Sequence, residues 1–419
     1  MKLAVLGSDK LVTTMNAILT EIFTGELPDE IHVLFEDKPK TDINKIVDIV
    51  SLFKKGIKVV PNIIGEGISR WREKVSKLDI DIADVTPGRK YMAVAVYSYS
   101  KAKEVRYVYI KNEREGYRVF GYIPFSEVSV TELRTGNNIP LKPVNVLNKD
   151  PNVINKLSPD SVRALINLHS LQGDVKIRID SDELKPEELI DYVYENSSRN
   201  LEEYRICGLR SGILRFKEEN EIKEYAKRGY VILADTNVYI NLGMRLRELT
   251  YSKEFGSMLL PTKAIYNELQ NKTISTQKDK SLMKFYLANM SFKKLHPPPV
   301  PTNFKGIGDV ALINEAKALK SELLYNIAIV TSDSGVMHSA SVQVTKDIVG
   351  LHDIIKGDLE GIGEFLYCLS FYKKRIEILV NNKVTATIYG QDIISDKVEV
   401  KDNTGYALLL EKEEEFLNE

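Results

Sequence analysis

Cysteine, tryptophan and histidine are scarce in this chain: 419 residues hold two, one and five of them. Cys207 and Cys368 lie far apart and neither has a C-x-x-C partner, which argues against a zinc knuckle or dithiol motif. So little cysteine makes a reducing cytoplasm the expected compartment. Charge of one sign is also lacking. Lys plus Arg number 58 against 59 Asp plus Glu, a net charge of −1, so any groove for a polyanion has to be local. Long apolar runs are missing too. The opening run Met1–Leu6 is broken by Ser8-Asp9, far short of a signal peptide or membrane span. The first turn has no G-x-G-x-x-G, which weakens a dinucleotide reading. A chain of this length allows roughly two or three domains.

What is present is a set of acids in telling contexts. Asp235 follows the apolar run Val231–Ala234, and Asp333 follows Ile327–Val330 by way of Thr331-Ser332. Continuous runs of this kind suit strands of a parallel sheet covered on both faces, and ligands of open α/β sheets bind at the carboxyl ends of such strands. Glu268 is flanked by Ile265 and Leu269 at helical spacing, and Asp309 opens a pattern with Leu312, Ile313, Ala316 and Leu319 on one face. Each acid alone fits a helix cap or a solvated turn. Four converging carboxylates would raise one another's pKa unless a cation neutralised them, and an all-oxygen ligand set selects Mg²⁺ or Mn²⁺ over zinc.

These motifs, Asp235-Thr236-Asn237, Glu268-Leu269, Gly308-Asp309-Val310 and Thr331-Ser332-Asp333-Ser334, make residues 229–372 resemble a PIN nuclease domain. The resemblance implies Asp235, Glu268, Asp309 and Asp333 as metal ligands and catalytic acids. Thr236, Asn237, Thr331 and Ser334 would support them. It also implies metal-dependent hydrolysis of RNA, or sometimes DNA, through metal-activated water. Lys272, Lys278, Lys280, Lys284 and Lys293-Lys294 fit a substrate path or a solvated helix face. His296-Pro297-Pro298-Pro299 reads as an extended loop.

The N-terminal half alternates strand and helix signals: Met1–Leu6, then a helix through Met15 and Ile22, then Ile31–Phe35 and a helix from Ile43. Further strands fall near Ile57–Val60 and Ile80–Ala83, an order that indicates a doubly wound α/β domain. Asp84-Val85-Thr86-Pro87-Gly88-Arg89-Lys90 follows, with Thr86 suited to an N-cap and Pro87 to a first helical turn. Exposed amides, a glycine and two cations suit a phosphate cradle, and an ordinary tight turn fits them equally well. Met92–Tyr97 reads as strand by alternation and as helix by length. Val105–Ile110 and Val119–Ile123 read as a hairpin.

Gly7-Ser8-Asp9 after the first strand and Thr86–Lys90 after the fourth make residues 1–140 resemble a CARF domain, the Rossmann-like sensor of CRISPR systems. The resemblance favours a helix after Lys90. It implies binding of a cyclic oligoadenylate, tetra-adenylate favoured, across a homodimer, with Gly7, Ser8, Asp9, Thr86, Gly88, Arg89 and Lys90 in contact. The expected architecture is α/β throughout: a Rossmann-like (CARF) domain at 1–140, a small α/β connector at 141–228, an α/β PIN domain at 229–372 and a small β module at 373–419. The expected function is a cyclic-oligoadenylate-activated, metal-dependent ribonuclease. Its alternatives are a ring nuclease degrading the ligand in the CARF domain, or a non-catalytic sensor.

Overall fold

The apolar runs become the central strands of two sheets, each in its own compact unit. The computed structural model describes residues 1–39, 42–111, 120–147, 149–150, 152–274, 280–296, 308–390 and 395–417. The first unit comprises Met1–Lys176, Glu377–Thr387 and Glu399–Glu419; the second comprises Ile177–Ile376 and Ile388–Val398. Both are mixed α/β.

In the first unit β1 (Lys2–Leu6), β2 (Glu30–Phe35), β3 (Lys58–Ile63), β4 (Ile82–Asp84) and β5 (Glu104–Ile110) run parallel. They are joined through α1 (Leu11–Ile22), α2 (Ile43–Val50), α3 (Ile68–Val75) and α4 (Lys90–Tyr99). Two antiparallel strands, β6 (Val128–Glu132) and β7 (Asn138–Ile139), complete the order β3-β2-β1-β4-β5-β6-β7. Leu3, Ala4, Val5 and Leu6 are all buried, as a strand covered on both faces requires. Chain order reverses between β1 and β4, the position at which open α/β sheets form a crevice.

Two expectations shift here. Residues 90–99 are helical, and the helix begins at Lys90 rather than at Thr86-Pro87. The Thr86 hydroxyl instead accepts the Val108 amide at 2.8 Å. The partner of β5 is Val128–Glu132 and not Val119–Ile123. Phe120, Tyr122 and Ile123 are buried side chains in a turn, and Tyr122 hydrogen-bonds Ser161, so burial took precedence over pairing. Residues 112–119, Val119 among them, lie outside the described residues.

β8 (Ile154–Leu157) and α5 (Pro159–Ser170) belong to this unit with the C-terminal residues. Arg375–Val380 and Lys383–Tyr389 form neighbouring strands joined by Asn381 and Asn382 at φ 49° and 63°. That pair of left-handed residues makes the tight turn that suits twisted hairpins. The acidic stretch at the end is a helix, Tyr406–Leu417. Glu414 accepts the Ser158 amide at 2.7 Å and Glu411 accepts Asn155 Nδ2 at 2.6 Å, so these acids brace β8 and the start of α5.

The second unit holds three parallel neighbours, Val231–Ala234, Ile327–Thr331 and Ile348–Gly350, with Ala234 opposite Val330. Cys207 and Cys368, distant in sequence, are joined as a buried disulfide with Cα atoms 5.4 Å apart. Three residues from Cys207, buried Arg210 donates to the Tyr239 and Ile240 carbonyls at 3.2 Å and to Ser291 Oγ at 2.7 Å. It thereby ties the helix Glu202–Ser211 to Thr236–Leu242 and Met283–Leu295. Among the described residues no helix is long and apolar enough to cross a membrane.

Candidate functional site

Each unit carries a candidate site at the carboxyl end of its parallel strands. In the first, the turns after β1, β2 and β4 enclose a cleft of about 470 Å³, within the size range of small-ligand pockets. Gly7, Ser8, Asp9, Thr86, Gly88 and Arg89 line it, as do Lys10, Glu36 and Asp37. Lys90 is exposed at the start of α4 and stands outside that lining. Gly7 is required because a Cβ there would meet the Phe35 ring at 2.4 Å. Gly88 adopts φ +88°, which favours glycine. Ser8 Oγ accepts the Lys10 amide at 3.3 Å, closing the first turn on itself.

Beneath the cleft, Asp84 accepts the Thr86 amide at 2.7 Å and so sets the second turn. Asp84, Glu21 and Arg106 are all buried, with Arg106 donating to Glu21 at 2.7 Å and to exposed-side Glu104 at 2.8 Å. Burial and the nearby Asp84 push the Glu21 carboxyl well up, and burial raises Asp84 as well, with Arg106 opposing both.

Glu36 was not singled out from sequence. Its carboxylate, only 13% exposed, pairs with Arg89 at 3.2 Å and accepts the Tyr91 hydroxyl. It therefore straps the turn after β2 to the turn after β4 across the mouth of the cleft. Its signal in sequence was slight: an acid directly after the second apolar run.

In the second unit Asp235 and Asp333 end neighbouring parallel strands and each caps the helix that follows. Asp235 accepts the Val238 amide at 2.8 Å, and Asp333 accepts the Gly335 amide at 2.7 Å. Thr331 links them: its hydroxyl donates to Asp235 and accepts the Asp333 amide at 2.9 Å. Thr236 donates to Glu268 at 2.7 Å, and Lys272 reaches the other Glu268 oxygen at 2.6 Å. Asn237 is exposed and Ser334 begins the helix Ser334–Gln343.

Electrostatics connect the four acids. The Asp235 carboxyl, 4% exposed, is pushed up to about 6, first by burial and then by repulsion from Asp309 and Asp333. Asp309 is raised by burial and by Asp333 and Glu268, with Lys272 opposing. Among the described residues, however, no three such side chains are gathered tightly enough to form a ready-made metal cluster. The donor set is all oxygen and short of positive charge, which fits a hard divalent cation.

Glu315 also escaped the sequence reading. Fully buried, it accepts the Lys263 and Ala264 amides at 2.8 and 3.1 Å, fixing the start of the helix that bears Glu268. A lone acid among Leu312, Ile313 and Ala316 was its signal. Of the proposed substrate-path lysines, Lys284 pairs with Glu202 at 2.6 Å and Lys294 with Asp396 at 3.7 Å. Lys278 and Pro297–Pro299 lie outside the described residues.

No family model matches the chain, and no curated protein does. Among solved structures it is similar to Can2 from Sulfobacillus thermosulfidooxidans in complex with cyclic tetra-adenylate. That match has 10% identity and a TM-score of 0.27, covering 87% of this chain and 98% of that one. It is also similar to protein VC1899 from Vibrio cholerae, at 7% identity and a TM-score of 0.28, covering 93% of this chain and 77% of that one. Likenesses at these scores carry no argument about activity.

Proposed function

We propose that the chain is a ligand-gated nuclease of CRISPR defence: the first unit senses a cyclic oligoadenylate, and the second hydrolyses phosphodiester bonds of RNA. The observation that carries the nuclease reading is the meeting of Asp235 and Asp333 on neighbouring strand ends, with Asp309 within electrostatic reach of both. A buried carboxyl whose charged neighbours are acids, with no cation to answer them, supports a functional reading of the site. Asp235, Asp309, Asp333 and Glu268 would hold Mg²⁺ or Mn²⁺, which supplies charge neutralisation and an activated water when bound. Thr331 keeps Asp235 and Asp333 in register, and Thr236 orients Glu268.

The sensor reading rests on a cleft at the sheet's reversal point, lined by two glycine turns with hydroxyls and cations. A ring with two-fold symmetry matches a homodimer in which each protomer offers the same turns. Gating requires that the ring favour one arrangement of the protein over another.

The test incubates purified protein with labelled RNA or DNA, with Mn²⁺ or EDTA, and with tetra- or hexa-adenylate rings. Tetra-adenylate, the ligand carried by the Sulfobacillus protein, is tried first. Ring-stimulated, EDTA-sensitive RNA cleavage is expected. An absence of cleavage under every condition overturns the nuclease, whereas metal-independent loss of the ring itself identifies a ring nuclease in the cleft. Arg89→Ala is expected to weaken ring binding about tenfold or more, the scale of one charged hydrogen bond. Lys90→Ala should weaken it far less.

A further inference from the structure

The ligand cleft contains a feature that a simple phosphate cradle would exclude. Asp9, Glu36 and Asp37 line it together with Lys10 and Arg89, so acids and cations share one wall. Asp9 and Asp37 are exposed, but Glu36 is nearly buried and firmly held. Tyr91 donates to it, and the Tyr91 ring stands edge-on to the fully buried Trp71 at 6.3 Å between centroids. Arg89, by contrast, is 69% exposed and its guanidinium has room to turn.

A phosphate entering between the glycine turns competes with Glu36 for Arg89. If Arg89 turns to the phosphate, Glu36 loses its charged donor while remaining nearly buried. Oε1 keeps the Tyr91 hydroxyl, but the Oε2 that Arg89 leaves is then without a donor, which costs binding unless the ligand brings one of its own. In a 3′–5′-linked ribonucleotide, the 2′-hydroxyl sits on the carbon next to the one bearing the phosphate. Donor and phosphate therefore arrive as neighbours, which matches an acceptor and a guanidinium 3.2 Å apart.

We infer that Glu36 is a specificity-determining residue of this cleft, accepting a ribose 2′-hydroxyl beside the phosphate that Arg89 takes, so that the site admits ribonucleotide rings and rejects deoxyribonucleotide ones. The inference rests on the proposal that the cleft binds a cyclic oligoadenylate. Sheet topology lends it independent weight, because Glu36 directly follows β2 at the side of the crevice where α/β folds commonly present a carboxylate to ribose.

Calorimetric titration of the full chain with cyclic tetra-riboadenylate and its all-2′-deoxy counterpart tests this. The parent should prefer the ribo ring by about 10–100-fold, the range expected for one nearly buried acceptor left unpaired. Glu36→Ala should bring that preference to within about threefold, while binding the deoxy ring at least as well as the parent because Arg89 is released. Glu36→Gln keeps an acceptor oxygen and should retain part of the preference, which guards against a folding defect in the alanine variant. A parent that binds both rings equally, or an alanine variant with undiminished preference, overturns the assignment to Glu36 alone. A parent that binds neither ring overturns the ligand reading with it.

Discussion

Asp84 and Asp235 occupy the same kind of position in different electrostatic company. Both sit at the carboxyl end of a parallel strand, are nearly inaccessible, and cap the next turn by accepting an amide, Thr86 at 2.7 Å and Val238 at 2.8 Å. Burial raises both carboxyls. Their company differs. Asp84 is buried near Glu21, and Thr86 first and the Arg106 guanidinium, which pairs with Glu21, then offset its charge. Asp235 is answered by hydroxyl and amide dipoles alone, and its charged neighbours, Asp309 and Asp333, are repulsive. On the proposed function, location and burial do not separate Asp235 from a framework acid such as Asp84, and the sign of the surrounding charge does, because acids left short of positive charge suit a cation.

The largest effect that sharpens this contrast is on chemistry. Asp235→Asn should reduce Mn²⁺-dependent RNA cleavage by roughly 10³-fold, the scale of losing a key charge-stabilising group, with ring affinity unchanged. Asp84→Asn should do the reverse, sparing metal-dependent basal cleavage and weakening ring binding through the Thr86 turn. Cleavage that survives Asp235→Asn would erase the distinction between the two acids.

Next comes the framework charge itself. Arg106→Met strands Glu21 and Asp84 without their counter-charge, and breaking a buried pair of this type costs about 3–5 kcal/mol. Urea unfolding of the full chain should show that loss. Adding Glu21→Gln should restore part of it, because the remaining acid is then no longer opposed by a second buried carboxyl. Among the described residues no guanidinium acts on Asp235, so no substitution of a partner of Asp235 should show this double-mutant signature.

How much of this was legible in sequence follows from the range of the interactions. The runs Val231–Ala234 and Ile327–Val330 announce buried parallel strands because periodicity is local, and the acids just after them inherit that position. The alternation in the first unit is local too, and so is the pair Asn381-Asn382. Glu36, Glu315 and Arg106 were invisible for the opposite reason. Each acts on residues far away along the chain, as Arg106 does on Glu21 and Glu315 on Lys263, and only folding brings them together. The link between Cys207 and Cys368 belongs to the same class, with 161 residues between them. Lys90, next to Arg89 in sequence, is exposed at the first position of a helix and stands outside the cleft lining, a difference of direction that adjacency in sequence does not convey.

The smallest effect gives the cleanest discrimination, because it turns on proton linkage. Asp235 has an ordinary value of 3.8 and is raised to about 6 in the folded chain, so the folded state holds the extra proton between those limits. Its contribution to stability is full below about pH 4 and is lost as pH rises through about 6, amounting to up to about 3 kcal/mol. Asn at this position imitates the protonated acid: its carbonyl oxygen can still accept the Val238 amide and its amide can donate to Thr331. In metal-free buffer, Asp235→Asn should therefore melt with the parent near pH 4 and above it at pH 8. Mn²⁺ at pH 8 should then raise the parent and leave the variant where it was, since a ligand stabilises only the form that binds it. Asp84→Asn keeps the Asp235 acids, so Mn²⁺ at pH 8 should raise it as much as the parent. Equal Mn²⁺ shifts in the parent and in Asp235→Asn would show that the two buried acids differ in surroundings but not in purpose.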